Sequence, residues 1–376
     1  MPTLPVIPIV ELSDWSDTLA RIASGPLEFC EEFPRIAGRF EAWWAQDVLD
    51  RPVFIGAVNA DPRRPITRRL DLLEDPDRWL EAKLADMAQL HRVGDALPFV
   101  RVDFGPGVLG ALFGAETERG PDTVWTHPFI ADDWSNEPDW TVKKDHPWRQ
   151  QMRALLERVA NDGPGRYLVC SPDLFGPADV LLSLRGATKL CMDVIERPNR
   201  VCRALDAMYP AWHTAFRGLC DLTVGRGAGL IHWLMVWSNE VYTVPACDFC
   251  CMIGPDEFER VCLPDIARQA ATIGRAVFHL DGSAAARHLD PLLEVPEIKA
   301  IQYIPEKSAP SVLPWIDMFK KIQRRGRSLL INTPPEEVLE LRAQLRPEGL
   351  AIWVDPAPPP LELDGLYTEF SRPYAG

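Results

Sequence analysis

The sequence predicts an α/β fold, a single (β/α)8 TIM barrel, on three observations. Eight short runs rich in β-branched or aromatic residues can be counted along the 376 residues. Segments of helical period separate them, and the runs are apolar at nearly every position, as strands buried on both faces of a parallel sheet are. The barrel core takes roughly 250 residues, so a chain of this length leaves room for extensions. An open doubly wound sheet is the competing fold, but no Gly-rich phosphate loop follows the first strand.

In chain order the strands are PVFIGAV (52–58), LPFVRV (97–102), RYLVC (166–170), GLIHWLM (229–235), RAVFHL (275–280), KAIQYI (299–304), SLLINT (328–333) and LAIWV (350–354). Helices are expected at DPDRWLEAKLADMAQLHR, WRQQMRALLERVA, RPNRVCRALDAMYPAWHTAFRGLC, PWIDMFKKIQRRG and PPEEVLELRAQL, where Pro opens or Gly closes several of the periodic stretches. A further helix opened by Pro255 should turn Phe258, Val261, Cys262 and Ile266 inward. Residues 1–50 form an N-terminal extension, 51–355 the barrel with insertions in its βα loops (104–146 the longest), and the Pro-rich 356–376 an extended tail; all belong to one domain.

Composition narrows the function. With 47% hydrophobic and 25% charged residues and a formal net charge of −14, the chain is an ordinary globular protein with no basic tract for a phosphate backbone, which argues against a nucleic-acid partner. No apolar run approaches the roughly 20 residues of a membrane span, and MPTLPVIPIVELSDW is no basic leader, so no membrane partner and a cytoplasmic location are expected. Nine cysteines, an odd number, read as reduced thiols, and the lone C-x-x-C of CDFCC is a weak zinc signal.

A barrel builds its reaction site where strands end and βα loops begin. At that station lie Asp103 after the second strand, Asp173 after the third, Trp233 and Trp237 at the fourth, His279 and Asp281 at the fifth, Gln302 and Glu306 at the sixth, and Asp355 after the eighth. An imidazole among carboxylates can hold a divalent metal or transfer protons, and residue types alone leave both open. Asp103, His279 and Asp281 are the catalytic candidates; His279, Asp281 and Asp355 are the metal candidates. Asp173, Trp233, Trp237, Asp248, Gln302 and Glu306 are the candidate contacts for a small-molecule substrate. Asp281 also stands where a helix N-cap belongs, although Ser283 suits that task better. His288 reads as packing or surface.

The segments PFVRVDFGPG, FGPADVLLSLRG, DFCCMIGPDEFERVCLPDI, FHLDG and AIQYIPEKSAP, spread between Arg51 and Asp355, resemble the uroporphyrinogen decarboxylase superfamily. The resemblance implies the barrel fold and either decarboxylation or zinc-dependent methyl exchange with corrinoid proteins. Asp103 matches the decarboxylases' pyrrole-binding aspartate, while their arginine-rich segment after the first strand is replaced by PVFIGAVNADPRRPITRR. In the methyltransferases zinc is held by a His-x-Cys pair and a later Cys; here the positions read His279, Asp281 and, near the last, Asp355. Carboxylates in place of thiolates leave a metal more positive, suited to an oxygen or nitrogen leaving group. The expectation is therefore a methyltransferase acting on a small O- or N-methylated substrate with zinc or another divalent ion. Its cobalamin would come from a separate corrinoid protein, since no D-x-H-x-x-G signature is present. The alternatives are a metal-free decarboxylase or lyase using Asp103 and His279, and a non-catalytic binding barrel.

Overall fold

The computed structural model describes residues 12–373 apart from 106–107, 121–122, 143 and 175. Residues 1–11 and part of the FGPG turn after Asp103 lie outside these. Eleven strands form: β1 (Val53–Asn59), β2 (Leu90–Gly94), β3 (Phe99–Arg101), β4 (Thr117–Arg119), β5 (Val124–Thr126), β6 (Leu168–Cys170), β7 (Leu230–Ile231), β8 (Ala276–Asp281), β9 (Ile298–Ile304), β10 (Ser328–Thr333) and β11 (Leu350–Val354). All eight expected strands are present, with β7 cut to two residues by a turn after it, in which the Met235 amide donates to the His232 carbonyl at 3.0 Å.

Strand pairing departs from a closed ring. One sheet has the order β2-β1-β11-β10-β9-β8 and a second the order β3-β6-β7, while β4 and β5 make a separate hairpin in the 104–146 insertion. Every pair is parallel except β1 with β2 and β4 with β5. The fold is thus a mixed α/β structure built on parallel strands, and among the described residues no ladder closes it into a barrel. Two seams remain. At one, the edge of β1 is taken by β2, where LHRVG leaves the helix Pro76–Ala88 and runs back antiparallel instead of continuing the expected helix. At the other, β8 bridges not to β7 but to the loop beyond it, through Thr243 with Ala276 and Ala246 with His279.

The helices Pro147–Asp162, Pro198–Thr223, Ile316–Arg324 and Val338–Gln344 form where their periodicity places them. Two more, Ser16–Ala23 and Phe33–Trp44, occupy the N-terminal extension. Trp43 Nε1 donates to the Leu329 carbonyl at 3.1 Å and Trp44 Nε1 to the Trp237 carbonyl at 2.8 Å, so the second helix covers the end at which β10 begins. The tail is not extended: Pro360–Phe370 is a helix whose Leu363 and Phe370 are fully buried, with the Phe370 ring 5.0 Å from Phe54 of β1. Proline at its first turn starts it, and its apolar positions recur at helical spacing. Buried apolar residues from Leu19 to Phe370 form one continuous cluster. Among the described residues no helix is long and apolar enough to cross a membrane.

One buried carboxylate ties the extension to the sheet. Asp95 is fully inaccessible; it accepts from Arg39 Nη1 at 2.9 Å, from Arg51 Nη1 at 2.6 Å and from the Phe54 amide at 2.9 Å. Its own amide donates to the Phe54 carbonyl at 2.6 Å, stitching the seam between β1 and the approach to β3. Removing one member of such a network strands charges in the core, at a cost of roughly 3–5 kcal/mol. Asp95→Ala should therefore lose about that much in chemical denaturation, whereas Asp61→Ala, whose partner Arg63 is 88% exposed, should be near neutral.

Candidate metal centre

The fifth and sixth expected strands set the site by register. In the parallel pair β8–β9, His279 lies opposite Gln302, and Gln302 lies opposite Leu330 of β10. Side chains alternate along a strand, so Asn332 shares the face of Leu330. A relay results: Gln302 Nε2 donates to Asn332 Oδ1 at 2.7 Å, and His279 Nδ1 donates to Gln302 Oε1. With the amide orientation fixed by Asn332, the proton belongs on Nδ1, and Nε2 carries the lone pair. Trp233 meets the imidazole edge to face, ring centroids 4.6 Å apart.

His279, Asp281 and Asp248 each offer a ligand atom, all within 4.8 Å of one another. Asp281 occupies the N-cap position of the helix Gly282–Ala286 but makes no capping hydrogen bond. That task falls to Glu306, whose Oε1 accepts from the Ser283 amide at 2.7 Å and from the Ser283 hydroxyl; these bonds hold its carboxyl below the ordinary glutamate range. Asp281 is thereby left available. Asp248 arrives on the short helical turn Asp248–Met252, pinned by Asp179, which accepts from the amides of Asp248 (3.1 Å) and Phe249 (2.8 Å). Burial pushes the Asp179 carboxyl well up, and the neighbouring Asp248 adds to the shift. Asp248 keeps access to solvent yet is also raised, by crowding with protein atoms and by Asp281 and Asp173, with His279 opposing. These acids stand close enough to repel one another.

The other expected residues fall in several places. Asp355 is exposed and is not in the His279 group: its strand β11 lies three places from β8 in the sheet, on the order of 14 Å at about 4.8 Å per strand. Asp248, anticipated as a substrate contact, lies in the group with His279 and Asp281. Gln302 is fully buried and acts on His279, not on a ligand. Trp237 is fully buried with its ring 5.1 Å from Phe33 of the N-terminal extension, a packing role. Glu306 is a cap, as above. Asp173, half-buried, lines a cavity of about 30 Å³, room for about one water, together with His232 and Trp233. His288 is buried, bonded to the Cys250 carbonyl at 2.9 Å.

Asp103 sits in a group of its own. It accepts from Arg68 Nε at 2.7 Å and the Gly105 amide at 2.8 Å, with Arg101 Nη1 at 3.4 Å. Burial would raise its carboxyl, but Arg101 and Arg68 outweigh that and hold it below the ordinary aspartate value. His232 is likewise committed: its Nε2 donates to the Tyr242 carbonyl at 2.8 Å, Nδ1 accepts from Ser171 at 2.7 Å, and burial pushes its pKa down to about 4.

No known family model matches the chain, and no curated protein matches it. Among solved structures, a methyltransferase from Methanosarcina mazei superposes with a TM-score of 0.57 at 15% sequence identity, covering 90% of this chain and 99% of its own. That likeness establishes a shared fold.

The site makes a prediction of opposite signs. A carboxyl whose pKa is raised on folding favours the folded state at low pH and opposes it once pH exceeds the folded value. Asp248→Asn should therefore raise the urea midpoint of metal-free protein at pH 7, with a smaller gain at pH 4, while weakening metal binding at both. A drop in stability at pH 7 would show that the Asp248 charge is already compensated.

Proposed function

We propose that the protein is a metal-assisted methyltransferase, moving a methyl group between a small O- or N-methylated compound and a corrinoid carried by a partner protein. The observation that carries this reading is the convergence of Asp248, Asp281 and His279, with the relay from Asn332 through Gln302 presenting His279 Nε2. We further read the two sheets as walls of one (β/α)8 barrel opened along two seams. Supporting this is strand order, β1-β11-β10-β9-β8 on one side and β7-β6-β3 on the other, with each seam partly spanned, by Asp95 and by Thr243 and Ala246. The fold shared with a methyltransferase is compatible with this reading.

Zinc fits the donor set. Asp248, Asp281 and His279 would hold it through two carboxylate oxygens and one imidazole nitrogen, donor types that zinc accepts. When bound, the ion supplies Lewis acidity to the oxygen or nitrogen that leaves the methyl carbon. The chain's own residues do the rest. Asp248 and Asp281 bring the negative charge that favours a hard cation. Gln302 and Asn332 fix the imidazole tautomer, and Trp233 walls the ring against water on one side. The C–O or C–N bond breaks with its electron pair staying on the heteroatom, while the acceptor's electron pair forms the new bond to methyl. Asp103, bound to two arginines and outside the His279 group, is positioned to orient substrate; this weakens the metal-free lyase reading, which needs it as a proton carrier.

Untagged protein should carry a single zinc or similar ion per chain by elemental analysis, lost in His279→Ala and Asp281→Ala. With a Co(I) corrinoid protein and a panel of methyl ethers and methylamines, the absorbance of Co(I) should give way to that of the methylated form only in the metal-loaded enzyme. Metal content that Asp281→Ala leaves unaltered would overturn the assignment. Gln302→Leu, which touches no ligand atom, should lower zinc affinity by about 10- to 100-fold because the imidazole loses its orienting acceptor.

A further inference from the structure

A cleft of about 400 Å³ lies between the helices Pro147–Asp162 and Pro198–Thr223, beneath Leu109, Leu112 and Trp140 of the long insertion. Its size is at the lower end of the roughly 300–1000 Å³ typical of small-molecule sites. The long helix contributes Ala211, Ala215 and Gly218, at i, i+4 and i+7 on one face, while its bulky Trp212 and Phe216 turn into the core. Space has been left rather than filled. A Cβ placed on Gly218 would meet nothing within 4 Å, so packing does not require glycine there, although glycine weakens a helix interior.

Charge at the rim identifies the occupant. Arg149 and Arg153 both line the cleft. Arg153 is paired with Glu157 at 2.8 Å, but half-buried Arg149 has no ion-pair or hydrogen-bond partner among the described residues. Its guanidinium is thus uncommitted beside an apolar wall, in a chain of net charge −14. Its planar fork suits a carboxylate or sulfonate, and the wall beside it suits a ring. We propose that this cleft binds a small aromatic acid, its ring among Trp140, Leu156 and Leu219 and its anionic group on Arg149. Pro172 and Leu174 line both this cleft and the small cavity that reaches Trp233, so the ligand sits one wall from the His279 group. Binding here does not require the metal.

The test uses two dyes of one shape, 1-anilinonaphthalene-8-sulfonate and its uncharged counterpart N-phenyl-1-naphthylamine, titrated by fluorescence in the presence of EDTA so that failure of the metal assignment cannot disturb the result. Gly218→Leu and, as a second filling variant, Ala215→Met should weaken both dyes about tenfold or more with unchanged near-ultraviolet circular dichroism. Arg149→Gln should weaken the sulfonate about three- to tenfold and leave the neutral dye unaffected. Naphthoate should displace the sulfonate dye. Wild-type affinity in both filling variants would overturn the site, and equal loss of both dyes in Arg149→Gln would overturn the anionic ligand.

Discussion

The alignment of β8 on β9 is the constraint from which the rest of the site follows. Because parallel strands keep partners on a common face, placing His279 opposite Gln302 brings the imidazole onto the row that also carries Asn332. A slip of one residue would turn His279 into the helix layer and expose Phe278 and Leu280, both now buried, on the site's side. The apolar residues between the polar ones therefore enforce the register, and the register enforces the tautomer. The chemistry of His279 is inherited from the packing of its neighbours.

Asp248 comes by a different route. It is carried on a loop and held by the backbone bonds of its own amide and that of Phe249 to Asp179. A buried carboxyl bonding two amides is a strong local anchor, since the acceptor has no water to turn to. The same arrangement accumulates charge: Asp179, Asp248, Asp281 and Asp173 lie within electrostatic reach of one another, and the first two are shifted toward the neutral form. The electrostatic cost is concentrated in one pocket, next to an oriented imidazole.

Much of the sheet was legible because buried parallel strands need unbroken apolar runs, and seven of the eight were found to within about two residues of their ends. What escaped lacked that signature. LHRVG at β2 is an edge strand with no alternation, its turn marked only by Gly94 at φ 71°. The tail DPAPPPLELDG looked extended because its prolines hide a helix start. In the site, His279, Asp281 and Trp233 were legible from their strand ends, and Gln302 from being polar inside an apolar run. Asn332 carries the same signal within SLLINT. Asp248 and Asp179 could not be matched to each other, since 69 residues separate them and only tertiary packing joins them. Asp355 and Trp237 shared the strand-end position of the residues that meet around His279, but position along a strand does not say which way a neighbouring sheet or helix will take the side chain.

The separation of Asp103 from this group bears on the choice between metal-assisted and proton-transfer chemistry. A general acid or base works best when its pKa lies near the working pH. Asp103 moves the other way, held ionised by Arg68 and Arg101, and a carboxylate in that state can orient a donor or anchor a loop but seldom returns a proton. Asp248 and Asp179 show the reverse tendency, and no arginine or lysine is among the groups that shift them. Asp103 has its cations built in, whereas the acids of the second group are shifted by burial and by one another. A divalent ion would neutralise the second with the hard oxygen donors it presents, and would favour deprotonation of the same groups whose crowding now opposes it. That asymmetry follows from which side chains the two strand ends bring together.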